Sequence, residues 1–270
     1  MTTRIPIPFL LFAVAATVAL ILMSARGAAA IDNGSELYCQ IGTSQSVGKF
    51  IRDKAQCIDN CQKKAFVDGV APSCSPPYAG SLLGCVTSAE GQAGGSMQSS
   101  CAHDCPECYA GGDCQADADT RVADAELHVE GLAAEAFCDD SASGDGLTLS
   151  EFKCQRTVRK AIAHFAASKL KCFAKCRKGE VGGKIAAGSC AQPTTDLKTQ
   201  ECIAKAESKT AFLIDKKCEV SVNPSADKPE CAPYDTRLGA DWVAAEEAYV
   251  DASLPSLFCD DPTTTTTTLP

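Results

Sequence analysis

The stretch Cys154–Cys176 reads CQRTVRKAIAHFAASKLKCFAKC. Wound as an α-helix, it brings Cys154, Val158, Ala161, Phe165, Cys172 and Cys176 within about 60° of one another, and Ile162 and Phe173 widen that face. Cys154 and Cys172 stand 18 residues apart, five full turns, so their sulfurs point the same way. The cysteines therefore belong to the stripe that faces the core. Neither Pro nor Gly interrupts the run to Lys178, and Thr148 with Glu151 forms a capping-box pattern just ahead of it.

The other side of this helix is basic. Lys153, Arg156, Arg159, Lys160, Lys169, Lys171, Lys175, Arg177 and Lys178 lie along it, with no acid from Lys153 to Lys178. Such a face is solvated, covered by an acidic neighbour, or a surface for an anionic ligand. The candidate anion-binding residues are Arg156, Arg159, Lys160, Lys171, Lys175, Arg177 and Lys178.

A matching stretch, Cys39–Cys61, stands 115 positions earlier. The first cysteine set is Cys39, Cys57, Cys61, Cys74, Cys85, Cys101, Cys114 and Cys138; the second is Cys154, Cys172, Cys176, Cys190, Cys202, Cys218, Cys231 and Cys259. Gaps of 17, 3, 15 and 12 residues recur identically, and both sets end in Phe-Cys-Asp-Asp. This is a duplication. Residues 31–138 form one Cys-rich copy and 149–260 the second, joined by a linker at 139–148. Cys105 and Cys108 are private to the first copy.

Each copy reads as three helical segments, with almost no strand signal. In the second copy the third helix spans about 237–252, with Pro255 as its stop. In the first, Val122, Ala125, Val129, Leu132 and Ala136 step at helical spacing. Its middle helix reads as weak, because Gly91, Gly94 and Gly95 lie inside Cys85–Cys101. The expected fold is all-α, two tandem disulfide-stapled helical domains of about three helices each.

Antiparallel packing of the first two helices gives a partial cysteine map. Cys154–Cys172 spans about 27 Å and Cys202–Cys218 about 24 Å, so the two pairs match as rungs of a ladder. Cys154–Cys218 closes one end, and Cys172 or Cys176 with Cys202 the other. With Cys172 in that place, the equivalent bridges of the first copy are Cys39–Cys101 and Cys57–Cys85. The private pair is assigned to a local bridge, Cys105–Cys108.

Residues 1–30 read as a secretory signal peptide: Arg4, an apolar run from about Phe9 to Met23, and Ala28-Ala29-Ala30 as the cleavage site. No other segment is apolar enough to cross a bilayer. Removing 1–30 leaves 23 basic against 34 acidic residues, net −11, a poor balance for nucleic-acid binding. All 18 cysteines lie after the signal, which places the chain in an oxidising compartment, secreted, at the cell surface or in a periplasm. Residues 261–270, DPTTTTTTLP, read as a flexible or O-glycosylated tail.

The catalytic and metal motifs fail on inspection. Cys101, Cys105, Cys108 and Cys114 with His103 have zinc-like spacing, but Cys101 and Cys114 belong to the repeated disulfide set. Cys105-Pro-Glu-Cys108 is a CxxC without the strand-to-helix context of thioredoxin-like chemistry. Asp145–Phe152 resembles half an EF-hand, but Phe152 stands where the bidentate Glu belongs. His103, His128 and His164 are scattered, and no Ser-His-Asp or Cys-His order is recognisable.

The cysteine comb, the Lys-rich helix (Lys153-Cys154-Gln155, Lys169–Cys172, Lys175-Cys176) and the Thr-run tail resemble uncharacterised cysteine-rich secreted or surface proteins of environmental bacteria. That resemblance implies a structural role for the cysteines and brings no activity. The expectation is a non-enzymatic secreted or surface structural or interaction protein with no cofactor. The alternative is a binding module for an acidic polysaccharide, lipid head group or acidic protein through the 153–178 face.

Overall fold

The computed structural model describes residues 34–69, 73–138, 147–219, 234 and 237–260. The 1–30 segment expected to be a signal peptide, most of the 139–148 segment expected to be a linker, Cys231 and residues 261–270 lie outside the described residues. Six helices form, and no strand is present among the described residues. They are α1 (Gly34–Asp68), α2 (Gly80–Ser100), α3 (Cys114–Ala136), α4 (Leu149–Val181), α5 (Leu197–Cys218) and α6 (Gly239–Leu257). The first three belong to one copy and the last three to the other. No described helix is long and apolar enough to cross a membrane.

The capping signals act locally. Thr148 accepts from the Glu151 amide at 3.1 Å, while the Glu151 carboxylate accepts from the Thr148 amide at 2.6 Å, which starts α4. Asp113 accepts from the Gln115 and Ala116 amides at the head of α3, and Asp196 from Thr199 at the head of α5.

Two elements differ from expectation. The Gly-rich middle helix is a full 21-residue α2. Its core stripe is Leu82, Val86, Ala89, Ala93 and Met97, and disulfides from Cys85 and Cys101 fasten it to α1. Packing and covalent anchoring together outweigh the glycine penalty, about 1 kcal/mol per residue. Helix α6 runs through Pro255 to Leu257. Leu254 and Leu257 are buried beyond the proline, and the Phe258 amide donates to the Leu254 carbonyl, so one missing donor in the last turn does not end the helix.

The most extensive pairing is α1 on α4. Phe66 stacks on Phe152, Asp59 meets Arg156, and Gly48 lies against Ala167 and Leu170. One number rises as the other falls, so the two helices run antiparallel. Both copies supply the main apolar cluster: Phe50, Ile51 and Ile58 with Met97 and Val129 from the first, Phe152, Leu170 and Phe173 with Val250 and Leu254 from the second. Residues from both therefore share one interior.

The copies meet through two tyrosines from different positions that bond to equivalent carbonyls. The Tyr109 hydroxyl donates to the Leu257 carbonyl at 2.6 Å, and the Tyr234 hydroxyl to the Ala136 carbonyl at 2.8 Å. Ala136 and Leu257 each stand two residues before the last cysteine of their copy. Each copy thus hydrogen-bonds the end of the other's third helix, an approximate two-fold relation.

The sulfurs pair in the same pattern. Cys39–Cys101, Cys57–Cys85 and Cys61–Cys74 correspond to Cys154–Cys218, Cys172–Cys202 and Cys176–Cys190. The open choice for Cys202 resolves to Cys172, because Cys176 closes the short loop to Cys190. The expected Cys105–Cys108 bridge is not formed: Cys105 joins Cys114, and Cys108 joins Cys259 of the other copy. The buried Tyr109 explains this, since its bond to Leu257 holds the 105–109 turn against the end of α6, where Cys259 follows. Cys138 is also disulfide-bonded, to a partner outside the described residues.

Two glycines separate helix propensity from close packing. A Cβ on Gly95 meets nothing within 4 Å, whereas one on Gly48 meets the Ala167 backbone at 3.1 Å. Gly95→Ala is expected to raise unfolding stability by about 0.5–1 kcal/mol. Gly48→Leu is expected to lower it by about 1–3 kcal/mol by forcing α1 from α4. Guanidinium denaturation of both variants checks the two signs.

Candidate functional site

The structure does not leave the 153–178 basic residues as one solvated face. Arg156 donates to both Asp59 oxygens at 2.8 and 2.7 Å, and Lys160 reaches the same carboxylate at 3.0 Å. Asp59 is fully buried on α1, so this is the contact with the first copy. Burial pushes the Asp59 carboxyl up, but its hydrogen bonds to Arg156 and Lys160 outweigh that, and its pKa lies below the usual carboxylate value.

Arg159 and Arg177, expected on the solvent side, are in the interior. Arg159 is fully buried, and its guanidinium stands 5.6 Å from the Phe137 ring with no hydrogen-bond partner. Burial pushes its pKa down to about 10. Arg177 pairs with Glu180 at 3.0 Å and with Asp260, beside the Phe258 ring. The α4 stripe facing the interior is wider than the apolar residues alone mark, since α1, α5 and α6 all pack on it. Only Lys171, Lys175 and Lys178 of the seven candidates remain exposed.

Lys169 is also buried, and it belongs to a duplicated charge cluster. Its ammonium contacts Glu247 at 2.6 Å and Asp251 at 2.5 Å, both on α6. Lys54, 115 positions earlier, contacts Glu126 and Glu130 of α3. Glu126 and Glu247 each stand 12 residues before the last cysteine of their copy, and Glu130 and Asp251 each stand 8 before it. A third carboxylate from the middle helix completes each group, Glu90 beside Glu126 and Glu207 beside Glu247. Burial first, and then the neighbouring carboxylate, pushes Glu90 and Glu207 up. These clusters fasten each third helix to its first.

The third helices, α3 and α6, border a cleft of about 370 Å³. His128 and Tyr249 stack across it, ring centres 3.4 Å apart and planes 4° from parallel. Each stands 10 residues before the last cysteine of its copy, so the stack lies on the two-fold relation. His128 Nε2 is 2.8 Å from Glu246 Oε2. Burial and then the Glu246 charge push the Tyr249 phenol up to about 12, so it stays a neutral hydroxyl at neutral pH. Arg237 and Glu135 pair at 2.5 Å, and the guanidinium sits 4.9 Å from the Trp242 ring. Leu127 and Leu132 add apolar wall.

Two polar atoms of these lining residues are unsatisfied. Glu246 is 2% exposed and its Oε1 has no donor; Trp242 is 1% exposed and its Nε1 has no acceptor. Leaving such groups unpaired costs about 1–3 kcal/mol each, more for a charge. Reading the sequence did not find this cleft, because His128 looked isolated. The available signal was its register match with Tyr249, which matters only once the copies face each other across a two-fold relation.

The metal-like motif is also accounted for. The sulfurs of Cys39, Cys101 and Cys114 lie within 4.8 Å of one another, but each is in a disulfide and offers no thiolate. Phe152, at the would-be calcium-ligand position, is a core residue stacked on Phe66. No family model matches the chain, and no curated protein or solved structure does so either.

Lys54→Met leaves Glu90, Glu126 and Glu130 facing one another without their cation. An expected loss of about 3 kcal/mol follows at pH 7. Without Lys54 the carboxyl pKa values rise above their unfolded values. The deficit therefore narrows as pH falls through those raised values and the group protonates. Denaturation midpoints at pH 7 and pH 4 check both the size and the direction.

Proposed function

We propose that the protein is a non-enzymatic interaction protein, secreted or displayed at the cell surface, whose recognition site is the α3–α6 cleft. The observation that carries this reading is the 370 Å³ cleft itself, whose lining combines the stacked His128 and Tyr249 rings and Leu127 and Leu132 with the polar side chains of Glu246 and Arg237. Ligand sites combine apolar walls with a few fixed polar groups, and this one has both. The frame around it is rigid, because disulfides and buried Lys–carboxylate clusters hold every helix that borders it. The oxidised state of every described cysteine supports an oxidising compartment, and the signal-like 1–30 segment supports export.

Ala245 is exposed on the cleft wall, so Ala245→Phe fills the cleft without entering the core. Equilibrium dialysis of the full chain against the small-molecule fraction of conditioned medium, read by mass spectrometry, is expected to retain a compound that Ala245→Phe loses. Retention that does not depend on Ala245 defeats this reading.

A second reading keeps part of the basic face. Lys171, Lys175 and Lys178 are exposed at helical spacing on α4, a short cationic stripe for an anionic surface ligand. Three exposed charges give weak, salt-sensitive binding. Retention on heparin at low salt, lost when all three become Ala, supports it; no retention at low salt removes it.

A further inference from the structure

We infer that the exposed ridge of α4, joined by Arg52 and Lys209, binds an extended acidic polysaccharide, and that protonated His164 strengthens the contact. This rests on the second reading above, an anionic ligand at Lys171, Lys175 and Lys178, and adds the class of that ligand, its length and its dependence on pH.

The three lysines are one end of a longer row. Lys153, Lys160, His164, Lys171, Lys175 and Lys178 fall within about 60° of one another on α4 and run about 37 Å along it. Lys160 is half-buried against Asp59, and the other five are exposed. The equivalent positions of α1, 115 earlier, are Tyr38, Gln45, Lys49, Gln56, Asn60 and Lys63. The same ridge thus occurs twice in one fold, and only one copy makes it strongly cationic. Packing does not require the charge, since α1 forms without it.

At His164 the row gathers charge from both neighbouring helices. Its counterpart Lys49 donates to Gln92 of α2 at 3.0 Å and pairs with Asp53 at 2.6 Å. Counted from the aligned cysteines, Gln92 corresponds to Lys209 of α5, and Asp53 to Ser168. The second copy therefore has a cation in place of the amide and a hydroxyl in place of the acid. On the other side, Gly48 lies against Ala167 and Asp59 meets Arg156, a register that puts Arg52 opposite Ala163, beside His164. Arg52, His164 and Lys209 are all exposed. Burial, and then the positive charges of Arg52, Lys209 and Lys160, hold the His164 pKa below the usual histidine value. Like charges held together repel one another, and an anion laid across them removes that cost.

The shape of the charge selects the ligand. It is a line along one helix, in a chain whose net charge is −9 and whose α2 carries no basic residue. A planar anionic membrane meets a whole protein face, whereas a linear polymer meets the line alone. Membrane-surface helices also bury an apolar face, and the α4 row has no aliphatic side chain in it. Proteins that hold single-stranded nucleic acid stack its bases on aromatic side chains, and this row contains no Phe, Tyr or Trp. A sulfated or carboxylated polysaccharide needs neither feature.

The test follows the anisotropy of a fluorescein-labelled heparin oligosaccharide, long enough to span the row, with the full, oxidised chain. The expected result is saturable binding about tenfold or more tighter than that of a heparin disaccharide at the same salt. Arg52→Ala with Lys209→Ala is expected to lower the slope of log affinity against log salt by about two, and Arg52→Lys with Lys209→Arg to keep it. If the alanine pair does not fold, as judged by circular dichroism, Lys209→Ala alone takes its place, with a loss of about one. Between about pH 7.5 and pH 5.5 the sulfate groups stay ionised while His164 gains its proton. Affinity is therefore expected to rise about threefold or more as pH falls, and His164→Gln to abolish that rise.

A disaccharide that binds as tightly as the long chain overturns the extended ligand and leaves the second reading standing. So does binding that depends on Lys171, Lys175 and Lys178 but keeps its salt slope without Arg52 and Lys209. Tighter binding of oligothymidylate or of phosphatidylserine vesicles overturns the polysaccharide class alone. A pH response that persists in His164→Gln overturns the role of His164. No binding of the long oligosaccharide at low salt overturns this inference and the second reading together.

Discussion

The antiparallel seam between α1 and α4 is the contact on which the other parts of the structure depend. Two helices of 35 and 33 residues lie along each other, and Gly48 lets their backbones approach. The seam is apolar along most of its length, with Phe66 on Phe152 toward one end, but a carboxylate is buried within it. Asp59 is neutralised by Arg156 and Lys160 from the other copy. A buried charge of this kind adds little net stability but tolerates only one register, because a slip leaves Asp59 unpaired. The seam thus sets the relation of the two copies, and the positions of α3 and α6 follow from it.

From that seam the remaining helices are attached by a repeated set of devices. Lys54 and Lys169 reach from the two first helices to paired acids on the two third helices. Disulfides fasten each middle helix at both ends, and Cys108–Cys259 ties the first copy to the second. Aromatic residues make up only 6% of the chain, so sulfur and buried ion clusters take a share of the work that larger side chains do elsewhere. The opening left between α3 and α6 is the place where this scheme does not close.

How much was legible varies residue by residue. Cys154, Val158, Ala161, Phe165, Cys172 and Cys176 are all buried, as the helical phase of a single segment requires. Rung lengths suffice for Cys154–Cys218, since both ends lie on helices of similar length. They do not suffice for Cys108, whose partner is 151 residues away and is brought close by a tyrosine hydrogen bond rather than by any local spacing. Arg159 and Lys169 illustrate the other limit. A cationic side chain reads as solvent-facing, yet its apolar stem packs in an interior, and its head follows where an acid or an aromatic ring meets it. Lys169 meets its acids on α6 and Arg159 faces Phe137, and neither partner is near in sequence.

By itself the sequence determined the all-helical class, the cap that starts α4 and the main rungs of the cysteine framework, because these depend on neighbours within a few turns or on exact spacing. Tertiary structure alone decided which basic residues see water, which copy Cys259 joins, and that His128 and Tyr249 stack beside Glu246. Periodicity states the direction of a side chain around its own helix axis and carries no information about what lies in that direction. That is set by the two-fold meeting of the copies, where residues more than a hundred positions apart become neighbours and share a single cleft.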